Sequence, residues 1–563
     1  MKFFFDLSRV DGDAAGLLLH AAARYLYARG IGLARSSGDP GCGYTLIFDI
    51  DNTYSDERYT LEPFEGGVSV RAADKASLFA AFGRFLEESE FDGRGGFASP
   101  PERVDFTPKS HLRGIYFATH YYNFYHSAPM WKVYTVIEDL ALRGCNLLMT
   151  WFDMHHFTSM EDDEAKKLVS RIRSIIKYAN RLGIGGAFTL NANEAFADSP
   201  AELRAEYEPR GRYFAKPHGH YHVELCPSKP GGLEEILAER RAMYEKFADL
   251  DIRFVSFWPY DQGGCTCEAC EPWGANGFLK ILPGFRSLTK EFFPQAKIIL
   301  STWYFDLFCR DEWRDFYPRM TDGTLEGVDY VLANFFKSGL PEVFREKGIP
   351  EGITFIDFPE ISMHSCSPWG GYGASLLARF LDEVDEKSEG LFRGGFPYSE
   401  GIFEDCNKYI CLARYSGRFS RSADAVRQYV KLNFCVTGDA LDELTDAVLK
   451  TETALPRKTT RGGRVVLEIP PAEEPLKVEI ADTSDIEYCF GVFDKYNSIL
   501  PEKIKSEWKF RIFYLRTLID REILENDFFP GRSAAAQAAL AEISRIWYVN
   551  ENTGPRVTPP LGR

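Results

Sequence analysis

The chain has 563 residues, 45% hydrophobic and 26% charged, an ordinary globular composition that excludes intrinsic disorder for most of its length. Its 66 basic and 82 acidic side chains leave a net charge of −16, which repels phosphate backbones and anionic membrane surfaces, so neither nucleic acid nor membrane is expected as a partner. Aromatics reach 15%, enough either to fill large cores or to line a ring-binding cleft.

The N-terminus, MKFFFDLSRVDGD, holds an apolar stretch of only Phe3–Phe5 before Asp6, too short for a secretory signal. No apolar run approaches the ~18–20 residues of a transmembrane helix. Twelve cysteines are too sparse for a disulfide scaffold and read as reduced thiols or metal ligands, which points to the cytoplasm.

Residues 1–107 read as a small α/β domain. Strand-like runs at Lys2–Leu7 and Tyr44–Ile50 flank a helical pattern over Ala14–Arg29. A hairpin is expected around Gly66-Gly67, from Arg58–Glu62 to Val68–Arg71, followed by an amphipathic helix over Ala76–Glu88. Asp92–Pro101, rich in Gly and Pro, reads as a linker.

Over 108–415 the rhythm changes. Eight short apolar runs alternate with helical stretches: Leu112–His120, Asn146–Asp153, Gly183–Leu190, Arg253–Tyr260, Lys297–Phe305, Val328–Phe336, Ile353–Phe358 and Gly394–Tyr398. Several are apolar on both faces, as strands of a buried parallel sheet are. Eight β/α units predict a (β/α)8 TIM barrel. The rival, an open doubly wound sheet, needs a Gly-rich phosphate loop after its first strand, and GIYFATHYYN has none. Residues 416–563 read as mostly helical, at Ala423–Phe434, Leu441–Leu449, Ile504–Glu525 and Arg532–Tyr548, with β-like character at Gly463–Ile480. This helical part offers a surface for a homodimer.

A barrel of this kind carries its active site at the C-terminal ends of the strands. Those ends are rich in rings, carboxylates, His and Asn: His120, Trp151 with Asp153 and His155, Asn193 with Glu194, Trp258 with Tyr260 and Asp261, Trp303 with Tyr304, Asn334, Glu360, and Tyr398 with Glu400. Rings that stack on sugar faces and acceptors for hydroxyls suit a carbohydrate, with Trp369 a fourth stacking tryptophan. Glycosidic cleavage needs two carboxyl groups, and Asp261, Glu360 and Glu400 each close an apolar strand. Glu360 or Glu400 is the second catalytic carboxylate and the other binds sugar hydroxyls; Glu360 sits where a nucleophile is expected, which favours Glu400 as the clamp, and a third reading makes Glu400 a buried structural carboxylate paired to Arg393 or Lys408. Asp261 as general acid needs a raised pKa, expected from Trp258 and Tyr260.

Cys265, Cys267 and Cys270 follow strand four at CxCxxC spacing, and Cys226 lies in the loop after strand three. Adjacent barrel loops can meet, so these four could form a structural zinc site; His218, His220, His222 or Cys366 is the alternative fourth ligand. Two other readings stay open: a metal-dependent hydrolase using Asp153, His155, His156 and the 218–222 histidines, and a non-catalytic sugar-binding barrel.

Residues 44–88 resemble the N-terminal α/β domain that precedes the barrel in family 20 β-hexosaminidases and α-glucuronidases. LCPSKP and DQGGCTCEAC are similar to motifs of family 163 endo-β-N-acetylglucosaminidases and relatives, and Ser399-Glu400-Gly401 to the Glu-Gly after their last strand. The resemblance, over roughly 44–415, implies a glycoside hydrolase needing no cofactor for catalysis. The family 20 enzymes carry an Asp-Glu pair after strand four; here Gln262 follows Asp261, which argues against acetamido-assisted chemistry.

Overall fold

The computed structural model describes residues 1–99, 101–120, 123–216, 223–261, 263–334, 339–362, 373–454, 483–527 and 532–548. The N-terminal part is a six-stranded sheet in the order Gly32–Ala34, Lys2–Arg9, Cys42–Ile50, Gly67–Ala72, Tyr59–Phe64, Val104–Phe106. The first four strands run parallel, and Tyr59–Phe64 is antiparallel to both its neighbours, Gly67–Ala72 and Val104–Phe106. The expected linker is only partly one: Phe97–Ser99 pairs with Glu90–Phe91, and Val104–Phe106 extends the sheet. Short strands without alternation hide from periodicity. The helix Lys75–Glu88 begins at a capping box between Asp74 and Ser77 and buries Leu78, Phe79, Phe82, Phe85 and Leu86 on one face.

The barrel strands are, in order, Gly114–Phe117, Leu147–Trp151, Gly185–Asn191, Ile252–Trp258, Lys297–Ser301, Tyr330–Leu332, Phe355–Ile356 and Tyr398–Ser399, all parallel, with strand eight beside strand one. Bridges from Asp357 to Gly395 and from Glu360 to Tyr398 join strands seven and eight and close the barrel. Inward side chains fill it in layers: Leu112, Leu147, Phe254 and Phe396 low, Trp151, Trp258, Trp303 and Phe358 near the top. Helices cover the outside. Asp163–Arg181, capped by Asp162, buries Ala165, Leu168, Ile172, Ile175, Ile176 and Ala179 along one stripe.

Beyond the barrel the chain is helical: Asp405–Ser416, Ser422–Phe434, Gly438–Ala454, Ser484–Ile499, Trp508–Glu525 and Ala534–Trp547. Ser484–Ile499 is a helix that the sequence reading lacked, and the β-like segment 463–480 lies outside the described residues. A buried ion cluster ties the three parts together: Asp139 of the barrel accepts from Arg24 and Lys509, each at 2.5 Å. Burial alone would raise the Asp139 carboxyl, but Arg24, Lys509 and Arg143 outweigh it and hold it well below the usual range. No helix among the described residues is long and apolar enough to cross a membrane.

Candidate active site

Strand four delivers Asp261 to the rim with φ of 102°, a left-handed conformation rarely adopted by a residue with a Cβ. The chain past it is clamped. Asn193 Oδ1 accepts from the Gly264 amide at 3.0 Å, and its Nδ2 donates to the carbonyls of Gly264 (2.9 Å) and Leu225 (2.8 Å). Gly263 is required here, because a Cβ would lie 2.4 Å from the Pro259 carbonyl. The Asp261 side chain reaches solvent, yet its concave surroundings are mostly protein. Burial, and then the Glu194 carboxyl, push its pKa up to about 6.

Across the rim stand Glu360 and Glu400. Glu360 is half-buried beside Tyr398 of strand eight. Glu400 is 1% exposed; Tyr398 donates to its Oε1 at 3.0 Å, and its Oε2 has no hydrogen-bond partner. Burial, then the neighbouring Glu404 and Glu360, push its carboxyl well above the ordinary range. The expected alternative pairing with Arg393 or Lys408 is not made: Lys408 donates to the Gly401 carbonyl and Tyr125, and Arg393 to the carbonyls of 390–392. Glu404 accepts from Ser399 Oγ (2.7 Å) and the Gly401 amide (2.6 Å), fixing the backbone that carries Glu400. Gly401 is needed for space, because a Cβ would meet the Trp547 ring at 2.4 Å.

Strands one to three form the remaining wall. Glu194 accepts from Trp151 Nε1 at 3.1 Å and lies 2.5 Å from His155 Nδ1, while His156 Nε2 lies 3.2 Å from Asp153. Burial raises Glu194 to about 7, and burial drives His155 well down. His120, packed 5.2 Å from Trp151, is held down to about 3 by burial. Burial thus favours the neutral imidazole at His120 and His155. Asn123 is fully buried beside Glu400, with both amide atoms lacking hydrogen-bond partners.

The aromatic floor is continuous. Trp258 lies 5.7 Å from Trp303 and 5.0 Å from Phe358, and Trp303 lies 4.6 Å from Tyr304. Tyr304 also sits at positive φ, 62°. Its phenol is raised by burial and then by the charges of Asp261 and Glu360. Tyr116, which the sequence reading did not single out, lies 5.1 Å from Tyr398 and 5.7 Å from Phe358, and its phenol is raised by burial and then by Asp261, Asp153 and Glu194. Its inward parity with Leu112 and Ala118 was the available signal.

Two expected lining residues are placed otherwise. Asn193 is fully buried and spends its amide on the loop clamp. Tyr260 points outward and donates to Glu312 behind strand four, so burial and Glu194, not Tyr260, account for the shift of Asp261. Asn334 is half-buried at the end of strand six. Trp369, His218, His220, His222 and Cys366 lie outside the described residues. Cys226, Cys265, Cys267 and Cys270 do converge, with all four sulfurs within 4.8 Å of one another.

A parallel eight-stranded barrel behind a small α/β domain, with rings and carboxyls at its C-terminal rim, can be set against solved structures. The fold is shared with three glycoside hydrolase families. A family 89 enzyme from Clostridium perfringens, in complex with GlcNAc-α-1,4-galactose, matches 95% of this chain with TM-score 0.57 and 15% identity. This chain spans 65% of that protein's length. A family 138 enzyme targeting pectin rhamnogalacturonan II matches 98% of this chain and 92% of its own, with TM-score 0.58 and 12% identity. The family 20 β-N-acetylhexosaminidase of Streptomyces coelicolor covers 77% of this chain and 92% of its own, with TM-score 0.52 and 11% identity. At these identities the shared property is the fold. No family model and no curated protein matches the sequence.

Proposed function

We propose that the protein is a glycoside hydrolase acting on an oligosaccharide or small glycoside. Asp261 protonates the leaving oxygen, Glu360 is the second catalytic carboxylate, and Glu400 clamps a sugar hydroxyl. The observation that carries this reading is the placement of Asp261, Glu360 and Glu400 just past barrel strands four, seven and eight, at the rim above the Trp258, Trp303, Tyr304 and Phe358 rings. A carboxyl lifted to about 6 keeps a proton to give near neutrality and returns it readily. Glu400 is fully buried, and burial and then Glu404 push its carboxyl well above the ordinary range, which disfavours the charged form a nucleophile needs and suits a hydroxyl clamp. The unpartnered Glu400 Oε2 and Asn123 amide supply what a hydroxyl-rich ligand would satisfy. The shared fold with carbohydrate-active barrels supports the substrate class.

The metal-dependent alternative fares worse on donor geometry. His155 is engaged with Glu194 and His156 with Asp153. Among the described residues the group with metal-holding spacing is the four cysteines, and the 218–222 histidines of this alternative lie outside the described residues. A panel of aryl α- and β-glycosides tests the proposal, with turnover of at least one expected from the wild type and strongly reduced in Asp261→Asn. Sugar binding without turnover on any member would make this a non-catalytic carbohydrate-binding barrel.

A further inference from the structure

We propose that Cys226, Cys265, Cys267 and Cys270 hold one tetrahedral zinc ion that locks the loop after strand four to the loop after strand three and so fixes where Asp261 stands. The second half of this statement rests on the glycosidase reading; the first does not.

The geometry favours one ion shared by four sulfurs over two disulfides. A tetrahedral zinc with bonds of about 2.3 Å has sulfur–sulfur edges of about 3.8 Å. Cys226 Sγ lies 3.7 Å from both Cys267 Sγ and Cys270 Sγ, and all four sulfurs fit within 4.8 Å. Cys226, Cys265 and Cys270 are fully buried. Four thiolates fill the tetrahedron and leave no open position, which is the arrangement of a structural and not a catalytic zinc.

The surroundings are those of thiolates. The Glu206 amide donates to Cys265 Sγ at 3.5 Å. Ser228 Oγ accepts from Lys280 Nζ at 2.8 Å and lies 3.1 Å from Cys270 Sγ, closer than the 3.4 Å to its other acceptor, the Ala269 carbonyl. Four thiolates on a divalent ion carry two net negative charges, and the Lys280 ammonium partly offsets them.

The link to Asp261 runs through few residues. Cys226 follows Leu225, whose carbonyl accepts from Asn193, and Cys265 follows Gly264, which Asn193 clamps on both its amide and its carbonyl. Asp261 at φ 102° is therefore anchored on one side by strand four and on the other by the clamp and the cysteines. A strained residue of this kind persists only when both flanks are held.

The whole chain, purified without chelator, is expected to contain about one zinc per molecule by elemental analysis. Its cobalt-replaced form should show the thiolate charge-transfer and tetrahedral d–d bands of a four-sulfur site. Stripping with a chelator under reducing conditions should lower the thermal midpoint by several degrees, and added zinc should restore it. Iron in place of zinc, two disulfides, or four alkylatable thiols in metal-free native protein would each overturn the site. These readouts stand whether or not the protein cleaves glycosides. The positioning role is read from leaving groups: the stripped, folded enzyme should lose more kcat on glycosides with poor leaving groups, which need the acid, than on activated aryl glycosides. An equal loss on both would overturn that role and leave a zinc that supports only the fold.

Discussion

The barrel rim offers two carboxyls raised by different means. Strand four runs seven residues and presents Asp261 on strained backbone, open to solvent, with a side-chain amide and four cysteines holding the chain beyond it. Strand eight is two residues long and presents Glu400 fully buried, steadied by Glu404, Ser362 and Lys408 acting on its backbone. A concave site with one like-charged neighbour lifts Asp261 only to about 6, where a proton can be given and taken. Complete burial, and then Glu404 and Glu360, push Glu400 well above the ordinary carboxylate range. Depth thus sets how far each carboxyl is raised more than residue type does.

The largest expected effect lies on the strand-four side. Asp261→Asn should reduce kcat by ~10²–10⁴-fold on glycosides with poor leaving groups. Wild-type activity should fall as pH rises through about 6, because the acid must be protonated, and the variant should lack that limb. A full pH profile of both proteins checks this.

The strand-seven and strand-eight carboxyls come next. Glu360→Gln should abolish turnover of an activated aryl glycoside, with partial rescue by azide. Glu400→Gln, which preserves a donor, should retain activity that depends on which hydroxyls the substrate carries. Azide rescue of Glu400→Gln alone would exchange their roles, and unchanged activity in both would remove them from the mechanism.

Asn193→Ala tests the clamp. It orphans the Gly264 amide and two buried carbonyls, at about 1–3 kcal/mol for each group left unsatisfied, and should lower the unfolding midpoint together with kcat. A variant that lost stability but kept full kcat would detach the clamp from Asp261.

The smallest effect is expected behind strand four, at Glu312, which accepts from Tyr260 and from the Gly274 amide. Burial raises it from its ordinary 4.5 to about 8. The folded state thus binds a proton that the unfolded chain releases, so this contribution to stability is complete below about 4.5 and fades as pH rises through 8. Thermal midpoints of Glu312→Gln should decline less between pH 5 and 8.5 than those of the wild type. Parallel curves would show that Glu312 does not titrate with folding.

Much of this molecule was open to reading from the chain alone, because its signals are local. Eight apolar runs separated by helical patterns specify a barrel, since strands buried on both faces cannot alternate. The position of a residue just past a strand is also local, so Asp261, Glu360 and Glu400 could be named. The CxCxxC spacing marked three cysteines of one loop as a cluster, and Cys226 joins them from the loop after strand three.

Which way those residues face belongs to the tertiary structure. Asn193 and Glu194 are neighbours on one loop, yet one amide is spent on backbone groups from two other loops while the adjacent carboxyl joins Trp151 and His155. Tyr260 and Asp261 are adjacent as well, and positive φ at Asp261 turns one side chain out to Glu312 and the other toward the cavity. The pKa of a carboxyl depends on depth and on charges brought from distant strands, as Glu194 acts on Asp261 and Glu360 on Glu400. Composition and periodicity report which elements form. Desolvation and Coulomb energy depend on distances across the closed barrel, and those exist only once its eight strands have come together.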